Sequence, residues 1–183
     1  MARNVTTSEL RSFSANLAPA DLQKSLITAS RSQSSSTFLS HSSKDKDLVI
    51  GAMQVIQNHG GVVYVDEIDP EMPPYTTDET AALLKQRINQ TKRFVLLTSS
   101  NSKDSRWVPW ELGIADGAKG LGKIAIFPAS DTVGQDSWTS WEYLGLYRRI
   151  VWGELEGHPN HLWMVLDHKA NTAVTLRSWL SGY

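Results

Sequence analysis

Residues 93–127 read RFVLLTSSNSKDSRWVPWELGIADGAKGLGKIAIF, and this stretch decides the fold. Its first and last segments, 93–98 and 124–127, are short apolar runs rich in branched and aromatic side chains, which is typical of buried strands. Residues 105–118 between them have helical spacing, and Gly120-Leu-Gly122 predicts the end of that helix. Nearly uniform apolar strands separated by helices indicate a parallel sheet that is covered on both faces.

The same alternation continues on both sides of this stretch. The sequence predicts further strands at 37–40, 62–65 and 162–166, and a final helix at 173–180. Ser42 and Ser43 can cap a helix after the first strand, and Thr76-Thr-Asp-Glu79 has the pattern of a capping box for the next helix. The core positions expected on these two helices are Leu48, Val49, Ala52, Met53 and Ile56, then Leu84 and Ile88. We therefore predict an α/β fold whose strands follow the common order 2-1-3-4-5.

The first 35 residues differ from the rest in composition. Residues 7–28 can form one or two helices broken near Pro19, and Ser30 to Ser36 has the composition of a linker. Leu10, Phe13 and Leu17 form an apolar stripe at helical spacing, which favours packing over a role in assembly. We therefore divide the chain into an N-terminal helical extension with its Ser-rich linker, residues 1–35, and a domain at 36–183.

Composition limits the class of function. With 18 basic and 19 acidic residues, the chain has no overall field that would attract nucleic acid or an anionic membrane. The absence of cysteine excludes disulfides, thiol nucleophiles and Cys-based zinc sites, and it suits a reducing compartment. No apolar window is long enough to span a bilayer, and the first 30 residues lack the apolar segment of a secretory signal. We expect a cytoplasmic protein that binds no nucleic acid, membrane or metal.

Polar residues follow three of the predicted strands. In an open parallel sheet, ligands bind beyond the carboxyl ends of the strands, at the point where the strand order reverses. In the order above, that point lies between the strands at 37–40 and 93–98. The candidate substrate-binding residues there are Ser40, His41, Ser42, Lys44, Asp66 and Ser99. The helix after the first strand would direct free N–H groups, with Lys44 nearby, at a phosphate. An alternative is that Ser42 and Ser43 only cap this helix.

Glu111 is the candidate catalytic residue. Pro109 belongs in the first turn of a helix, so a helix that begins near Trp107 places Trp107 and Glu111 on one face. A carboxylate beside a large aromatic side chain is partly desolvated, which raises its pKa. Such a group suits a general acid or base, or a carboxylate that stabilises a positive charge. The alternative is a structural glutamate that the helix macrodipole favours. Trp107 and Trp110 are the aromatic candidates for substrate binding.

Three segments together resemble the TIR (Toll/interleukin-1 receptor) domain in its bacterial form. They are Thr37-Phe-Leu-Ser-His-Ser-Ser-Lys-Asp45, Val63-Tyr-Val-Asp66 with the proline-bearing loop after it, and Phe94-Val-Leu-Leu-Thr-Ser99 followed by Trp107-Val-Pro-Trp-Glu-Leu112. The similarity covers residues 36–128, and the order and spacing of the segments make it specific. The resemblance implies a flavodoxin-like sheet of five parallel strands with helices on both faces, and it makes residues 36–183 a TIR domain.

The resemblance also implies an activity. Many bacterial TIR domains cleave NAD⁺ at the nicotinamide–ribose bond, with a catalytic glutamate on the helix after the third strand in a Trp-x-x-x-Glu setting. In this chain that glutamate is Glu111, with Trp107 as its aromatic partner. The ribose and phosphate contacts of the family would come from Ser40, His41 and Ser42, and from the loop between Asp66 and Pro74.

The chemistry suits a single carboxylate. Nicotinamide leaves as a neutral group, so one carboxylate that holds ribose hydroxyls and stabilises an oxocarbenium ion is enough. The products would be nicotinamide with ADP-ribose or a cyclic or conjugated form, and NAD⁺ is then a substrate rather than a cofactor. In bacteria the resemblance further implies anti-phage defence, self-association through TIR–TIR contacts and an effector that senses the product.

Two other functions stay open. A TIR module can act only as a scaffold through TIR–TIR contacts, although a scaffold has no need of the pair formed by Trp107 and Glu111. A nucleoside deoxyribosyltransferase also cuts N-glycosidic bonds with a glutamate, although the loop after Asp66 favours a TIR domain. The chain departs from close bacterial TIR domains at Glu67-Ile68, where a Trp is expected.

Overall fold

The structure is a computed structural model that describes residues 1–15, 18–31, 36–73, 77–134 and 142–182. The strands in these residues are β1 (Val5–Thr6), β2 (Thr37–Ser40), β3 (Val63–Tyr64), β4 (Arg93–Thr98), β5 (Ile124–Ser130), β6 (Arg148–Gly153), β7 (Leu162–Asp167) and β8 (Thr172–Thr175). The helices are α1 (Thr7–Ala15), α2 (Pro19–Arg31), α3 (Lys46–Asn58), α4 (Asp78–Gln90), α5 (Trp107–Lys119) and α6 (Leu176–Ser181). Among the described residues, no helix has both the length and the apolar character needed to cross a membrane.

The predicted centre of the sheet is confirmed. The strand order is β3-β2-β4-β5-β6-β7-β8, and the strands from β3 to β6 run parallel to their neighbours. The first four strands in this order, β3, β2, β4 and β5, correspond to the predicted strands 2, 1, 3 and 4. Every residue of β2, β4 and β5 is buried, which explains why these strands are largely apolar rather than alternating. Because β2 lies between β3 and β4, the residues that follow these three strands meet at one edge of the sheet.

The prediction for the last third of the chain is wrong in two places. The fifth parallel strand is β6, whereas residues 162–166 belong to β7, which pairs antiparallel with β6. β6 begins with Arg148 and Arg149, and these charged residues hide it from a search for uniformly apolar strands. The predicted helix at 173–180 begins only at Leu176, because residues 172–175 alternate between exposed and half-buried positions and form the edge strand β8.

The helix α5, which carries Glu111, begins where the sequence predicts. Its first residue is Trp107, and Pro109 lies in the first turn, where a missing N–H leaves no helical bond unmade. Gly120 follows the helix with a φ of 73°, a conformation that glycine adopts without strain, so the predicted end of the helix is also confirmed. Val108, Leu112 and Ala115 are buried and fasten the helix to the sheet.

The start of α4 differs from the prediction by one residue. Thr77 and Thr80 form the capping box, in which each side chain accepts the backbone N–H of the other residue. The box therefore spans 77–80 rather than 76–79, because the helix begins at Asp78; Thr76 lies outside the described residues. The expected core residues of α3 and α4 are nevertheless buried, since the helical faces are unchanged.

The N-terminal segment packs on the rest of the chain, as expected. β1 pairs with the end of β5, and α1 lies against α3. Leu10 is fully buried and Phe13 packs on the same core, whereas Leu17 and residues 32–35 lie outside the described residues. The proposed boundary between residues 35 and 36 stays a prediction.

Gly51 sets the close approach of α1 to α3. A Cβ at Gly51 would lie 2.1 Å from the carbonyl oxygen of Leu10, which is backbone and cannot yield without a shift of α1. We expect Gly51→Ala to lower the free energy of unfolding by about 1–3 kcal/mol in urea denaturation. Gly117→Ala in α5 is the control: nothing lies within 4 Å of its Cβ position. This control should raise that free energy by about 0.5–1 kcal/mol. Equal effects of the two substitutions would contradict the close contact.

Candidate active site

A cleft of about 360 Å³ lies at the edge of the sheet where β2, β3 and β4 end. Its polar lining includes His41 and Ser43 after β2, Asp66 and Glu67 after β3, and Glu111 on α5. Apolar side chains of α4, α5 and the loop after β3 complete the lining. The cleft therefore joins three carboxylates and an imidazole to an apolar wall, at the edge that the sequence predicts for a ligand.

Glu111 is buried in this cleft and bonded to a serine. The residue is 4% exposed, and the Ser40 hydroxyl donates to its Oε2 at 2.5 Å. Burial raises the pKa of Glu111 well above its ordinary value and the charge of Asp66 raises it further, while the bond from Ser40 acts in the opposite direction. Trp107 lies one turn earlier on α5 and lines the same cleft, as predicted. The site thus holds a carboxylate whose ionised form is unfavourable until a positive charge comes near it.

Asp66 brings a second carboxylate into the cleft. It follows β3 and begins a short 3₁₀ turn, Asp66–Ile68. Burial raises the pKa of Asp66, and the neighbouring His41 acts against that rise. Asp66 and Glu111 each disfavour the ionisation of the other, so the cleft becomes strongly negative when both are ionised. A cationic ligand is suited to such a site.

Glu67 and Lys46 hold the imidazole of His41. The Nε2 atom of His41 lies 3.1 Å from Oε2 of Glu67, and Lys46 forms an ion pair with the other carboxylate oxygen. The hydrogen bond with His41 is the largest cause that lowers the pKa of Glu67 to about 2; burial opposes it and Lys46 assists it. The sequence marks Glu67 only as a departure from the bacterial pattern, because nothing in it shows that Glu67 reaches His41.

Comparison with known proteins decides the family. The sequence profile of the TIR domain matches residues 37–160, from the start of β2 to beyond β6. This chain belongs to the TIR domain family. It is 36% identical over 146 residues to a Bacillus cereus (strain MSX-D12) protein named 3' cyclic ADP-D-ribose synthase ThsB', a match that covers 78% of this chain and 74% of that protein. It is 32% identical over 89 residues to a Cytobacillus dafuensis protein named cyclic ADP-D-ribose synthase TIR2, a match that covers 47% of this chain and 23% of that protein. Both names are provisional.

The two candidate tryptophans of this TIR domain border different cavities. Trp107 lines the cleft of Glu111 and also a neighbouring cavity of about 500 Å³, whereas Trp110 borders the second cavity and is absent from the lining of the first. The two rings meet edge to face at 5.1 Å, and the ammonium of Lys85 lies 5.8 Å from the ring of Trp110. Trp107 therefore lines the cleft of Glu111, while Trp110 packs against Trp107 outside that cleft; their roles in substrate binding stay predictions.

Three further predicted residues of the TIR domain have other partners. Ser42 accepts the backbone N–H of Lys44 at 3.4 Å and caps the short 3₁₀ turn Ser43–Asp45, while Asp45 stands at the N-cap of α3. Lys44 is exposed and pairs with Asp104 at 3.0 Å, and the Ser99 hydroxyl donates to Asp45 at 2.7 Å. Ser42, Lys44 and Ser99 are not part of the cleft lining. The structure brings together Ser40, His41, Asp66, Trp107 and Glu111.

Asp45 is a buried residue of this edge that sequence reasoning missed. It is fully buried and accepts hydrogen bonds from the hydroxyl of Ser99, the amide of Asn101 at 2.8 Å and the hydroxyl of Ser102 at 3.4 Å. These bonds join the start of α3 to the turn after β4. Asp45 supplies, at the N-terminus of α3, the negative charge that the sequence analysis assigned to a phosphate. The two serines that precede Asp45 near the start of a helix indicate a helix cap. They do not indicate that Asp45 bonds to residues more than 50 positions later in the chain.

Proposed function

We propose that this TIR domain cleaves NAD⁺ at the bond between nicotinamide and ribose and closes the remaining ADP-ribose into a cyclic product. The observation that carries the proposal is the buried carboxylate of Glu111, held by Ser40 in a cleft that also contains Asp66 and Trp107. The names of the two relatives, both cyclic ADP-ribose synthases, support the class of reaction. NAD⁺ is the substrate in this proposal, which includes no further cofactor.

The cleft suits a dissociative cleavage. As the glycosidic bond lengthens, its electron pair goes to the ring nitrogen of nicotinamide, which leaves neutral and needs no proton donor. Positive charge develops on the ribose, and the ionised carboxylate of Glu111 stabilises it. Because the site is buried, this attraction is screened less than it would be in water. Trp107 forms part of an apolar wall that keeps water from the cation.

The wider biological role is proposed from the family alone. In this proposal the chain acts in the bacterial cytoplasm, associates with itself through TIR–TIR contacts and makes a product that an effector senses during phage infection. A scaffold without activity and a deoxyribosyltransferase are the contrary outcomes of the test below.

The test is nicotinamide release from NAD⁺ by the purified chain, measured at rising protein concentration because TIR domains can require assembly. The mass of the nucleotide product is determined in the same reactions. We expect nicotinamide together with a product lighter than ADP-ribose by one water. ADP-ribose alone would support cleavage and contradict cyclisation. No release when assembly is forced would contradict the proposal and favour a scaffold, and base release from a deoxynucleoside would indicate a transferase.

We expect Asp66→Asn to move the acidic limb of the pH profile of kcat/KM to lower pH. Cleavage requires ionised Glu111, so activity falls as the pH falls through the pKa of Glu111. The charge of Asp66 raises that pKa, so its removal lowers the pKa and extends activity toward acid. The quantity compared is the pH at the midpoint of the acidic limb. The plateau value of kcat/KM is not compared, because Asp66 also lines the cleft. A limb at unchanged pH would contradict the electrostatic link between the two carboxylates.

A further inference from the structure

His41 has one ring nitrogen without a partner. Its Nε2 is bonded to Glu67, whereas its Nδ1 is buried and has no hydrogen-bond partner among the described residues. The side chain is 4% exposed, and buried polar atoms in folded proteins nearly always have a partner. His41 lines the same cleft as Glu111, so a bound substrate lies next to this side chain.

Glu67 determines which nitrogen of His41 carries the proton. An ionised carboxylate only accepts hydrogen bonds, so Nε2 donates to Glu67, and in the neutral ring the lone pair then lies on Nδ1. The ion pair with Lys46 keeps the Glu67 carboxylate in place. Glu67 also stabilises the imidazolium that forms if Nδ1 takes a proton, which is the role of the aspartate in a Ser-His-Asp triad. In this tautomer Nδ1 is the atom of His41 that can take up a proton, and His41 is part of the cleft lining.

We propose that His41 is the base that activates the acceptor hydroxyl in the cyclisation, an inference that rests on the proposed cleavage of NAD⁺. While Glu111 stabilises the ribosyl cation, a hydroxyl of the adenosine ribose attacks the cation and gives its proton to Nδ1 of His41. The bond from carbon to the nicotinamide nitrogen breaks with its electron pair on nicotinamide, and one carbon–oxygen bond forms between the two riboses. The proton passes to water when the product leaves. The sum is NAD⁺ giving nicotinamide, cyclic ADP-ribose and a proton.

In this proposal, His41 and Glu111 act on different steps of the reaction, so different measurements report them. Glu111 acts on the formation of the cation, which nicotinamide release measures. His41 acts on the capture of the cation, for which the ribose hydroxyl competes with water. A base at the hydroxyl favours the cyclic product, and without it water gives ADP-ribose. The ratio of the two products therefore reports His41, and a purely structural role would leave that ratio unchanged.

The experiment compares three variants with the wild type, and it measures nicotinamide release and the ratio of cyclic product to ADP-ribose. His41→Asn keeps a polar group near the position of Nδ1 but cannot take up a proton. We expect the ratio of cyclic product to ADP-ribose in this variant to fall by about tenfold to 10²-fold, and this ratio is compared at whatever rate the variant releases nicotinamide. Glu67→Gln leaves His41 in place and should lower the ratio by a smaller factor. His59→Asn is the matched control, because His59 lies at the far end of α3 with its Nδ1 on the carbonyl oxygen of Val55 at 2.7 Å.

The outcomes distinguish this inference from the proposed function. An unchanged ratio in His41→Asn overturns the role of His41, as does a loss of nicotinamide release with the ratio preserved. A wild type that makes only ADP-ribose also overturns it and leaves the cleavage standing. If His41→Asn does not fold, the ratio in Glu67→Gln decides. A wild type that releases no nicotinamide overturns the proposed function and this inference with it.

Discussion

Nicotinamide release by Glu111→Gln is expected to fall by about 10²-fold to 10³-fold relative to the wild type. Glutamine has nearly the same shape and can accept the hydrogen bond of Ser40, so the cleft is preserved. It carries no charge, however, and cannot stabilise a ribosyl cation. The measurement is single-turnover release of nicotinamide at saturating NAD⁺. Equal release by both proteins would exclude a catalytic role for Glu111.

The same substitution should make the protein more stable at neutral pH. Burial raises the pKa of Glu111 in the folded chain, so the wild type loses stability as the pH rises through that pKa. Glutamine has no such loss, and we expect a gain on the order of 1 kcal/mol, or about 2–4 °C in Tm, that shrinks as the pH is lowered. A variant that is inactive and also less stable would indicate the structural alternative, a glutamate favoured only by the macrodipole.

Glu79→Gln is the matched control for Glu111→Gln. Glu79 is an exposed glutamate in the first turn of α4, so it interacts with a helix N-terminus without lining the cleft. Its replacement should leave nicotinamide release unchanged and lower stability by about 0.3–1 kcal/mol. The two substitutions thus have opposite signs for stability and very different effects on activity.

Asp69→Ala is expected to lower the free energy of unfolding by about 3–5 kcal/mol. The side chains of Asp69 and Arg87 are 2% and 3% exposed, and Nε of Arg87 donates to Oδ2 of Asp69 at 2.9 Å. Tyr64 also donates to this oxygen, at 2.7 Å. Removal of the carboxylate leaves a buried guanidinium with an incomplete set of acceptors. Urea denaturation measures the loss.

Two further variants test the reason for this loss. Glu71→Ala removes the other carboxylate that pairs with Arg87, but Glu71 is 68% exposed, so we expect a change of about 0–1 kcal/mol. Adding Arg87→Met to Asp69→Ala removes the unpaired charge and should restore a large part of the stability. If Asp69→Ala and Glu71→Ala are equally harmful, burial of the pair is not the cause.

The contribution of Asp69 also depends on pH. Burial alone would raise its pKa, but the hydrogen bonds from Tyr64, the backbone of Glu71 and Arg87 together lower it. The stabilisation is therefore present at neutral pH and is lost as the pH falls through the depressed pKa. Because Asp69 fixes the loop that carries Asp66 and Glu67, its replacement should reduce activity as well as stability.

The predictable part of the fold has a local cause. β4, α5 and β5 follow one another with periodicities that belong to single elements, so their type could be read from residues 93–127. β6 could not, because its two arginines break the apolar pattern and its pairing with β5 and β7 exists only in the folded sheet. Residues 172–175 could not be assigned from the sequence either. They form a strand because they pair with β7, and that pairing exists only in the folded sheet.

The candidate site divides in the same way. Position at the end of a strand was enough to select Ser40, His41 and Asp66, and helical spacing was enough to pair Trp107 with Glu111. The sequence also selected Ser42, Lys44 and Ser99, because strand ends show which residues reach an edge but not where their side chains point. The ion pair of Lys44 with Asp104 and the bond from Ser99 to Asp45 depend on neighbours that only the folded edge supplies.

Glu111 shows what each level decides. The sequence by itself determined that a glutamate stands one helical turn after a tryptophan, on a helix between two buried strands, since the periodicities of helices and strands are encoded locally. Only the tertiary structure decided that Ser40, 71 residues earlier, donates to this glutamate and that Asp66 raises its pKa. Burial and charge interaction depend on distances across the folded sheet, and no local pattern of residues carries those distances.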